Sequence, residues 1–394
     1  LSPADVETVR RIVDAEYPSL FDLYRELHQN PELSFQERES ARRVAAGMRA
    51  AGFEVTTGIG GHGVVGLLRN GRGPTVMWRS DLDALPVPEK TGLPYASKAT
   101  AVNDAGDTVS VMHACGHDVH MTCLVGLARV LAEMKDRWRG TVMLVGQPAE
   151  ERGAGAEAML KDGLFDRFPR PDYALALHVS AAYEAGQIVF LPGYILANVD
   201  SVDITIRGRG GHGAAPHTTV DPILLACRTV VALQSIVARE VNPIEDAVVT
   251  VGSIHGGTKH NIIPDEVKLQ LTVRSFKDDV RQQLRRAIER IVRGEAIAAG
   301  APEPEIRFGE GLPSTYNDPA LVERCLPALR QMVGADRVVP GEPSMGAEDF
   351  SLYGRSGVPA FMFSVGAVDP ALLQRAGSPD APPAPSLHSP TFAP

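Results

Sequence analysis

The sequence predicts a layered α/β protein that carries an inserted β-α-β-β-α-β domain. Three observations predict it. From residue 54 to residue 177, short apolar runs that read as strands alternate with segments of helical period, the pattern of a sheet with helices packed on it. From about Val202 the runs instead alternate apolar and polar residues, and two helical segments fall between them in the order of a split, ferredoxin-like unit. Beyond residue 314 the chain returns to helix and buried strand. The expected organisation is one discontinuous domain, 1–195 with 314–394, and an insert at 196–313.

Taken in order, residues 5–52 read as two helices, because Val6, Val9, Ile12 and Val13, and then Ala41, Val44, Ala45 and Met48, recur at helical spacing. Phe53 to Val55 opens a strand, and residues 64–68 and 74–78 are two more. Residues 121–134 form a helix, 141–145 a buried strand, 155–161 a short helix and 173–177 a further apolar strand, in a largely parallel sheet. In the insert, 202–206 alternates and a helix follows at 223–238. Strands at 248–254 and 267–273, a helix at 279–299 and a strand around Ile306 to Phe308 complete it. A helix near 321–332 and a strand at 360–363 close the first domain, and the proline-rich tail from Ala376 has no helical pattern. There is no internal repeat.

Net charge is −9 with no basic run, which argues against nucleic acid as a partner. No apolar stretch approaches the roughly 20 residues of a membrane span, so no membrane association is expected. The cysteines, Cys115, Cys123, Cys227 and Cys325, form no Cys-x-x-Cys pair, so disulfides do not organise the fold. The first residue is Leu1 rather than methionine, as expected of a processed or trimmed N-terminus, and this leaves both cytoplasm and periplasm open.

The chemistry is concentrated in two segments. Met112-His113-Ala114-Cys115-Gly116-His117-Asp118 packs a thiol and imidazoles into a glycine-broken turn, and Gly116 lets Cys115 and His117 converge. Asp118 is placed to hold a ligand imidazole, while His113 and His120 suit packing or supporting roles. Gln147-Pro148-Ala149-Glu150-Glu151 ends an apolar strand with two carboxylates whose side chains diverge. One can bind a metal while the other takes a proton from water. We assign Glu151 as ligand and Glu150 as base, with the reverse order as the alternative. His178 ends a buried strand, where it is either a core residue or a ligand, and His388 carries no local signal of its own. Asp81 and Asp83 follow a strand, where Asp83 can orient a metal ligand or either can cap the following turn. In the insert, residues 210–217 form a flexible loop with His212 and His217, and Asn261 and Arg274 flank a strand. Arginine suits a carboxylate bidentately. The string Gly61-His62-Gly63-Val64-Val65-Gly66 fits a dinucleotide-binding pattern, but no helix opens at it, so no nucleotide site is expected. Nor is there a Gly-x-Ser-x-Gly nucleophile elbow.

Together these motifs resemble the M20 metallopeptidases, in particular the amidohydrolase branch that includes hippurate hydrolases, auxin-conjugate hydrolases and N-acetyldiaminopimelate deacetylases. The resemblance runs through residues 27–34, 79–86, 112–118, 147–151, 210–217, 261–264, 345–350 and 387–390. It implies a metallopeptidase domain with a lid and dimerisation domain inserted in it, and two divalent ions per chain held by Cys115, His117, Glu151, His178 and His388. Glu150 is then the general base, and Asp83 supports a ligand. His212 stabilises an oxyanion, often across a dimer interface, and Asn261 and Arg274 hold the substrate's carboxylate. Zinc is the favoured metal, with manganese, cobalt or nickel as substitutes. The implied activity is hydrolysis of N-acyl amino acids by a homodimer, with dipeptidase or carboxypeptidase action, or an inactive metal-binding relative, as alternatives. Two departures from the family are visible. Residues 100–110 are extra length relative to many members, and members usually continue past the last histidine motif into a closing helix, so a further segment after Pro394 is expected.

Overall fold

The structure is a computed structural model that describes residues 2–309, 311–376 and 384–394, so residues 377–383 of the proline-rich tail lie outside the described residues. The chain forms two compact units. The first comprises Leu1–Gly193, Tyr316–Glu342 and Asp349–Pro394; the second comprises Tyr194–Thr315 and Pro343–Glu348. The short Pro343–Glu348 segment, expected with the first domain, belongs to the second. Ser344 bridges to Leu196, and Arg274 donates to the Met345 carbonyl.

In the first unit, helix α1 (Pro3–Gln29) starts from a reciprocal cap between Ser2 and Asp5. Helix α2 (Arg38–Ala50) buries Ala41, Val44, Ala45 and Met48 as one face. Strands β1 (Glu54–Ile59), β2 (Gly63–Asn70) and β3 (Thr75–Asp81) follow, then a hairpin of β4 (Thr100–Val102) and β5 (Thr108–Ser110) that takes up the extra length noted above. Helix α3 (His117–Glu133) begins four residues earlier than its apolar period suggests, because Gly116, at φ 76°, turns the chain into the helix at His117. Strand β6 (Gly140–Gln147), helices α4 (Gly155–Lys161) and α5 (Leu164–Arg167), and strands β7 (Tyr173–Glu184) and β8 (Ile188–Phe190) complete the N-terminal part.

The second unit is a four-stranded sheet with helices against it. Strand β9 (Gly193–Leu196) leads into β10 (Asn198–Arg207) and the short β11 (Gly211–His212). Helix α6 (Pro222–Ser235), capped by the Asp221 side chain, continues as a wider turn over Ile236–Glu240. Strands β12 (Ala247–Gly256), β13 (Ile262–Ile263) and β14 (Glu266–Ser275), helix α7 (Asp278–Ala298) and strand β15 (Glu305–Phe308) follow. The order is β12-β14-β10-β15, all antiparallel. Alternate residues of β10 and β14 bury Val202, Ile204, Ile206, Leu269 and Leu271 against Leu225, Leu233, Leu284 and Ile288 of the helices. One expectation needs correction here. The helical stretch Pro222–Glu240 is long and apolar enough, by length and composition, to cross a membrane. Arg228 and Gln234 interrupt its apolar run, so the stretch does not stand out in the sequence. In the structure one face of this helix packs on the sheet.

The chain then returns through β16 (Thr315–Asn317), α8 (Pro319–Val333), β17 (Val338–Pro340), α9 (Ser351–Arg355), β18 (Ala360–Val368) and α10 (Pro370–Ala376). The eight-stranded sheet of the first unit runs β1-β2-β6-β3-β7-β18-β8-β17. It is mixed rather than largely parallel. β3 lies parallel to β6 and β7, β18 parallel to β7 and β17 parallel to β8, but β1–β2, β2–β6 and β18–β8 are antiparallel. The β1–β2 connection is a tight turn with Gly60 and Gly61 at positive φ, and a hairpin can join only antiparallel strands. That turn is also where the glycine string lies, with a strand after it. Helices α1, α2 and α3 cover one side of the sheet through Leu27, Val44, Met48, Met121 and Leu124. Helix α8 meets Leu177, Phe361 and Phe363.

Candidate metal centre

Four separate stretches of the first unit bring metal-binding atoms together. Cys115 and His117 flank Gly116 at the start of α3. A Cβ on residue 116 would lie 2.4 Å from Val179 Cγ2, so glycine is required there for packing as well as for φ. Glu150 and Glu151 follow β6 after Ala149, which sits at φ 50°. His178 lies within β7 rather than at its end, because the strand continues beside β18 past the apolar run. His388, at φ 66°, is held by its amide to the Ala114 carbonyl at 2.8 Å, while Phe392 behind it is buried.

The distances are short enough for shared ligation. Cys115 Sγ lies 3.5 Å from His178 Nε2, and His388 Nε2 lies 3.5 Å from Glu151 Oε2. His117 Nε2 is 3.9 Å from both Glu150 Oε2 and Glu151 Oε1. Cys115, Glu151 and His388 each place a donor atom within 4.8 Å of the others, and so do His117, Glu150 and Glu151. His117 Nδ1 donates to the Asp83 carbonyl at 2.8 Å, and His178 Nδ1 to the Val179 carbonyl at 2.6 Å. Both rings therefore turn Nε2 inward, the nitrogen that a metal would take once it is deprotonated. His117 Nε2 and Glu151 Oε1 are buried with no hydrogen-bond partner. Orphaned buried donors and acceptors are costly unless something unseen satisfies them. A sulfur, imidazole and carboxylate set of this kind suits a zinc-like cation.

Supporting groups surround these atoms. Asp83 Oδ2 accepts from Ser34 Oγ at 2.7 Å and from the Glu151 amide at 3.0 Å, and its Oδ1 lies 3.3 Å from His117 Nδ1. Asp81 receives His120 Nδ1 at 2.7 Å and the fully buried Arg79 at 2.8 Å. His120 Nε2 accepts the Val179 amide, so both its nitrogens are committed and it braces the strand that carries His178. Arg79 also reaches Asp349 at 3.0 Å and Gln147 at 2.9 Å. Asp118 differs from its expected role: its carboxylate pairs with His28 at 2.7 Å, not with a ligand imidazole.

The electrostatics fit a site built around cations. Burial resists charge on His117, but Asp81 and Asp83 raise its pKa well above the ordinary value. Burial pushes Glu151 up to about 7, with His117 pulling the other way and the charges on Asp83 and Asp81 adding to the rise. Burial also pushes the Cys115 thiol up, against the pull of His117. His178 falls to about 3 through burial and the neighbouring His120, so it stays neutral, and burial lowers His388 too. Bound cations would add positive charge where Glu150 and Glu151 meet the Cys115 thiol, and would favour the ionised form of each.

In the second unit, His212 pairs with Ile262, and the Gly213 amide donates to the Asn261 carbonyl at 2.9 Å, so His212 and Asn261 share adjacent loops. The His212 ring is exposed and its Nδ1 accepts the Ala214 amide. Arg274 lies within β14, not beyond it, and its contacts are Met345 and Thr272. Arg79 and His28 lie in stretches of the family resemblance, but neither they nor Glu37 has a role that the sequence assigns. A buried arginine or glutamate has no local signature, since the same residues one strand position away would face water.

The fold and the site define a class of dinuclear metallohydrolases, and the comparisons agree. Residues 77–380 match the model of Peptidase family M20/M25/M40, so the chain belongs to this family of hydrolases acting on amide bonds. It is 37% identical over 353 residues to thermostable carboxypeptidase 2 of Saccharolobus solfataricus, covering 88% of this chain and 86% of that protein. It is also 37% identical over 347 residues to hippurate hydrolase of Campylobacter jejuni, covering 85% and 87%. Among solved structures, Bacillus subtilis YXEP, described as a dinuclear metal binding peptidase from the M20 family, superposes with a TM-score of 0.78 at 30% identity, covering 96% and 93%.

Proposed function

We propose that this protein hydrolyses the amide bond of N-acyl amino acids, using two divalent cations held by Cys115, His117, Glu151, His178 and His388. The observation that carries the proposal is the convergence of these donors around His117 Nε2 and Glu151 Oε1, buried atoms without a hydrogen-bond partner. The chemistry the cations supply when bound is Lewis acidity and a lowered pKa for water. Glu150, within 4.8 Å of His117 and Glu151, takes the proton of the attacking water and returns it to the leaving amine. Asp83 fixes the Glu151 backbone and the His117 ring. In this reading Asn261 and Arg274 hold the carboxylate of the amino-acid half, and His212 stabilises the oxyanion. Cys115 favours zinc, with manganese, cobalt or nickel as substitutes.

The second unit acts in this proposal as lid and dimerisation domain. Its helix α6 exposes Leu224 (61%) and Val231 (73%), beside Ile223 and Val237. Strand β12 is an edge of its sheet with Ile254 exposed. A homodimer that pairs these faces would cover both an apolar patch and an open strand edge. The carboxypeptidase name of one relative supports a second reading, cleavage of a C-terminal amino acid from a peptide, with the same metal centre and carboxylate grip.

The test is to strip the protein with chelator and restore zinc, manganese, cobalt or nickel singly. Amine release is then followed from N-acetyl and N-benzoyl amino acids and from dipeptides. Activity that returns with about two metals per chain is expected of a dinuclear site. Full metal loading with no turnover of any substrate would overturn the proposal in favour of a binding protein.

A further inference from the structure

Among the described residues, three that are not glycine have a positive φ: Phe35, Ala149 and His388. Two of them are tied to one carboxylate oxygen. Glu37 Oε1 accepts the Phe35 amide at 2.7 Å and the Ala149 amide at 2.8 Å. Glu37 itself is completely buried at the start of α2, 112 residues away from Ala149 in the chain. An alanine at φ 50° is in a strained backbone region and holds there only where its surroundings over-determine it.

That conformation sets the turn from which Glu150 and Glu151 project. The Ala149 carbonyl accepts the amides of Ala154 and Gly155, each at 3.2 Å, and the Glu150 carbonyl accepts that of Gly153. The loop returns so tightly that a Cβ on Gly155 would lie 1.5 Å from the Pro148 oxygen. Its remaining anchors come from outside. Asp83 takes the Glu151 amide, and Glu37 takes that of Ala149. Ser34 donates to Asp83 as well, so the segment ahead of α2 braces both anchors.

We infer that Glu37 is a positioning residue for the Glu150–Glu151 turn: its carboxylate oxygen pins Ala149 in the left-handed conformation and so aims the base. The inference rests on the assignment of Glu150 as base. What this role requires is an acceptor, not a charge. Burial, reinforced by the charge on Asp83, raises Glu37 to about 7, and its Oε2 has no hydrogen-bond partner. A neutral glutamine keeps the acceptor oxygen and the volume.

The test compares Glu37→Ala, Glu37→Gln, Glu150→Gln and the Glu37→Ala/Glu150→Gln double variant, each metal-loaded, with metal content measured. Glu37→Ala is expected to lower kcat at least about tenfold while KM moves less than about threefold, and Glu37→Gln to stay within about threefold of the parent. In the Glu150→Gln background, removing Glu37 should cost less than about twofold more, because a residue that acts through the base has nothing left to aim. If Glu37→Ala does not fold, Glu37→Leu, which fills similar volume without an acceptor, takes its place. An unchanged kcat, a Gln variant as poor as Ala, or an equal loss in both backgrounds would overturn the inference. If Glu150→Gln alone keeps full rate, the base assignment falls instead, and Glu37 is judged on Ala against Gln.

Discussion

His28 Nδ1 lies 2.7 Å from Asp118 Oδ2, both side chains fully buried, and Asp118 is the residue beside His117. The other ring nitrogen lies 3.1 Å from Glu89 Oε1. Helix α1 is thereby clamped to the first turn of α3. Burial resists charging this ring, but Asp118 and Glu89 overcome it and raise His28 to about 8, against 6.5 for an ordinary histidine. The folded-state value is the raised one, so its stabilisation is full below about pH 6.5 and is lost as pH rises through 8. The shift corresponds to about 2 kcal/mol. Urea unfolding of the metal-free protein at pH 6 and pH 9 should show a loss in both proteins, because Glu37, Glu151 and His117 also titrate with raised pKa, and the loss should be larger in the parent than in His28→Gln by about that amount.

Replacing Glu150 by glutamine should leave two metals bound and slow turnover at least about a hundredfold, as expected for loss of a general base. Metal analysis beside steady-state kinetics checks both parts. A variant near full rate would pass the role to Glu151.

Arg274→Ala should chiefly raise KM for substrates with a free carboxylate and leave kcat nearly unchanged, the signature of lost uniform binding. The same substrates with the carboxylate amidated should not distinguish the variant from the parent. Equal KM values on the free acid would place the carboxylate elsewhere.

Chelation should lower the melting temperature, and restored metal should raise it with concentration. A cation present at a thousand times its Kd stabilises the fold by about 4 kcal/mol. The effect should grow with pH, since His117 has a raised pKa and Glu151 lies near 7, and both must release protons to bind. Thermal scans at pH 5.5 and 7.5 would show this, and a metal effect of equal size at both would contradict it.

Leu224→Glu with Val231→Glu should shift the protein from dimer to monomer in sedimentation while leaving the far-UV spectrum intact, because both side chains are more exposed than buried in the single chain. A parent that already sediments as a monomer would remove the dimer from the proposal.

Much of the fold was legible because burial imposes a period. Ala41, Val44, Ala45 and Met48 mark the inner face of α2 whatever it packs against, and Val202 to Ile206 alternates because one side of β10 faces helices. Strand direction was not legible: the run at 64–68 looks the same whether a hairpin or a crossover precedes it, and only the glycines at 60 and 61 distinguish them. The second half of β7 has no apolar run to mark it, since Ser180 and Glu184 are polar, though β18 pairs with both. At the candidate site, Cys115, His117, Glu150 and Glu151 stood out because they are clustered in sequence. His388 did not, since its placement depends on a left-handed residue and on one hydrogen bond to Ala114. Asp118 was read as a partner for a ligand imidazole because the sequence shows that it is adjacent to His117, not that His28 comes within reach.

The place of β18 in the sheet bears on how this chain is made. It lies between β7 and β8, yet it is synthesised after the whole second unit. A chain emerging from its N-terminus therefore carries β7, with His178 on it, as a strand edge awaiting its neighbour. Such an edge is a template for the wrong partner, and pairing over so long a separation is slow. On the proposed ligand set, a nascent chain would hold only part of the donors until β18 docks and His388 joins the Ala114 carbonyl, which would put metal loading at the last stage of its maturation.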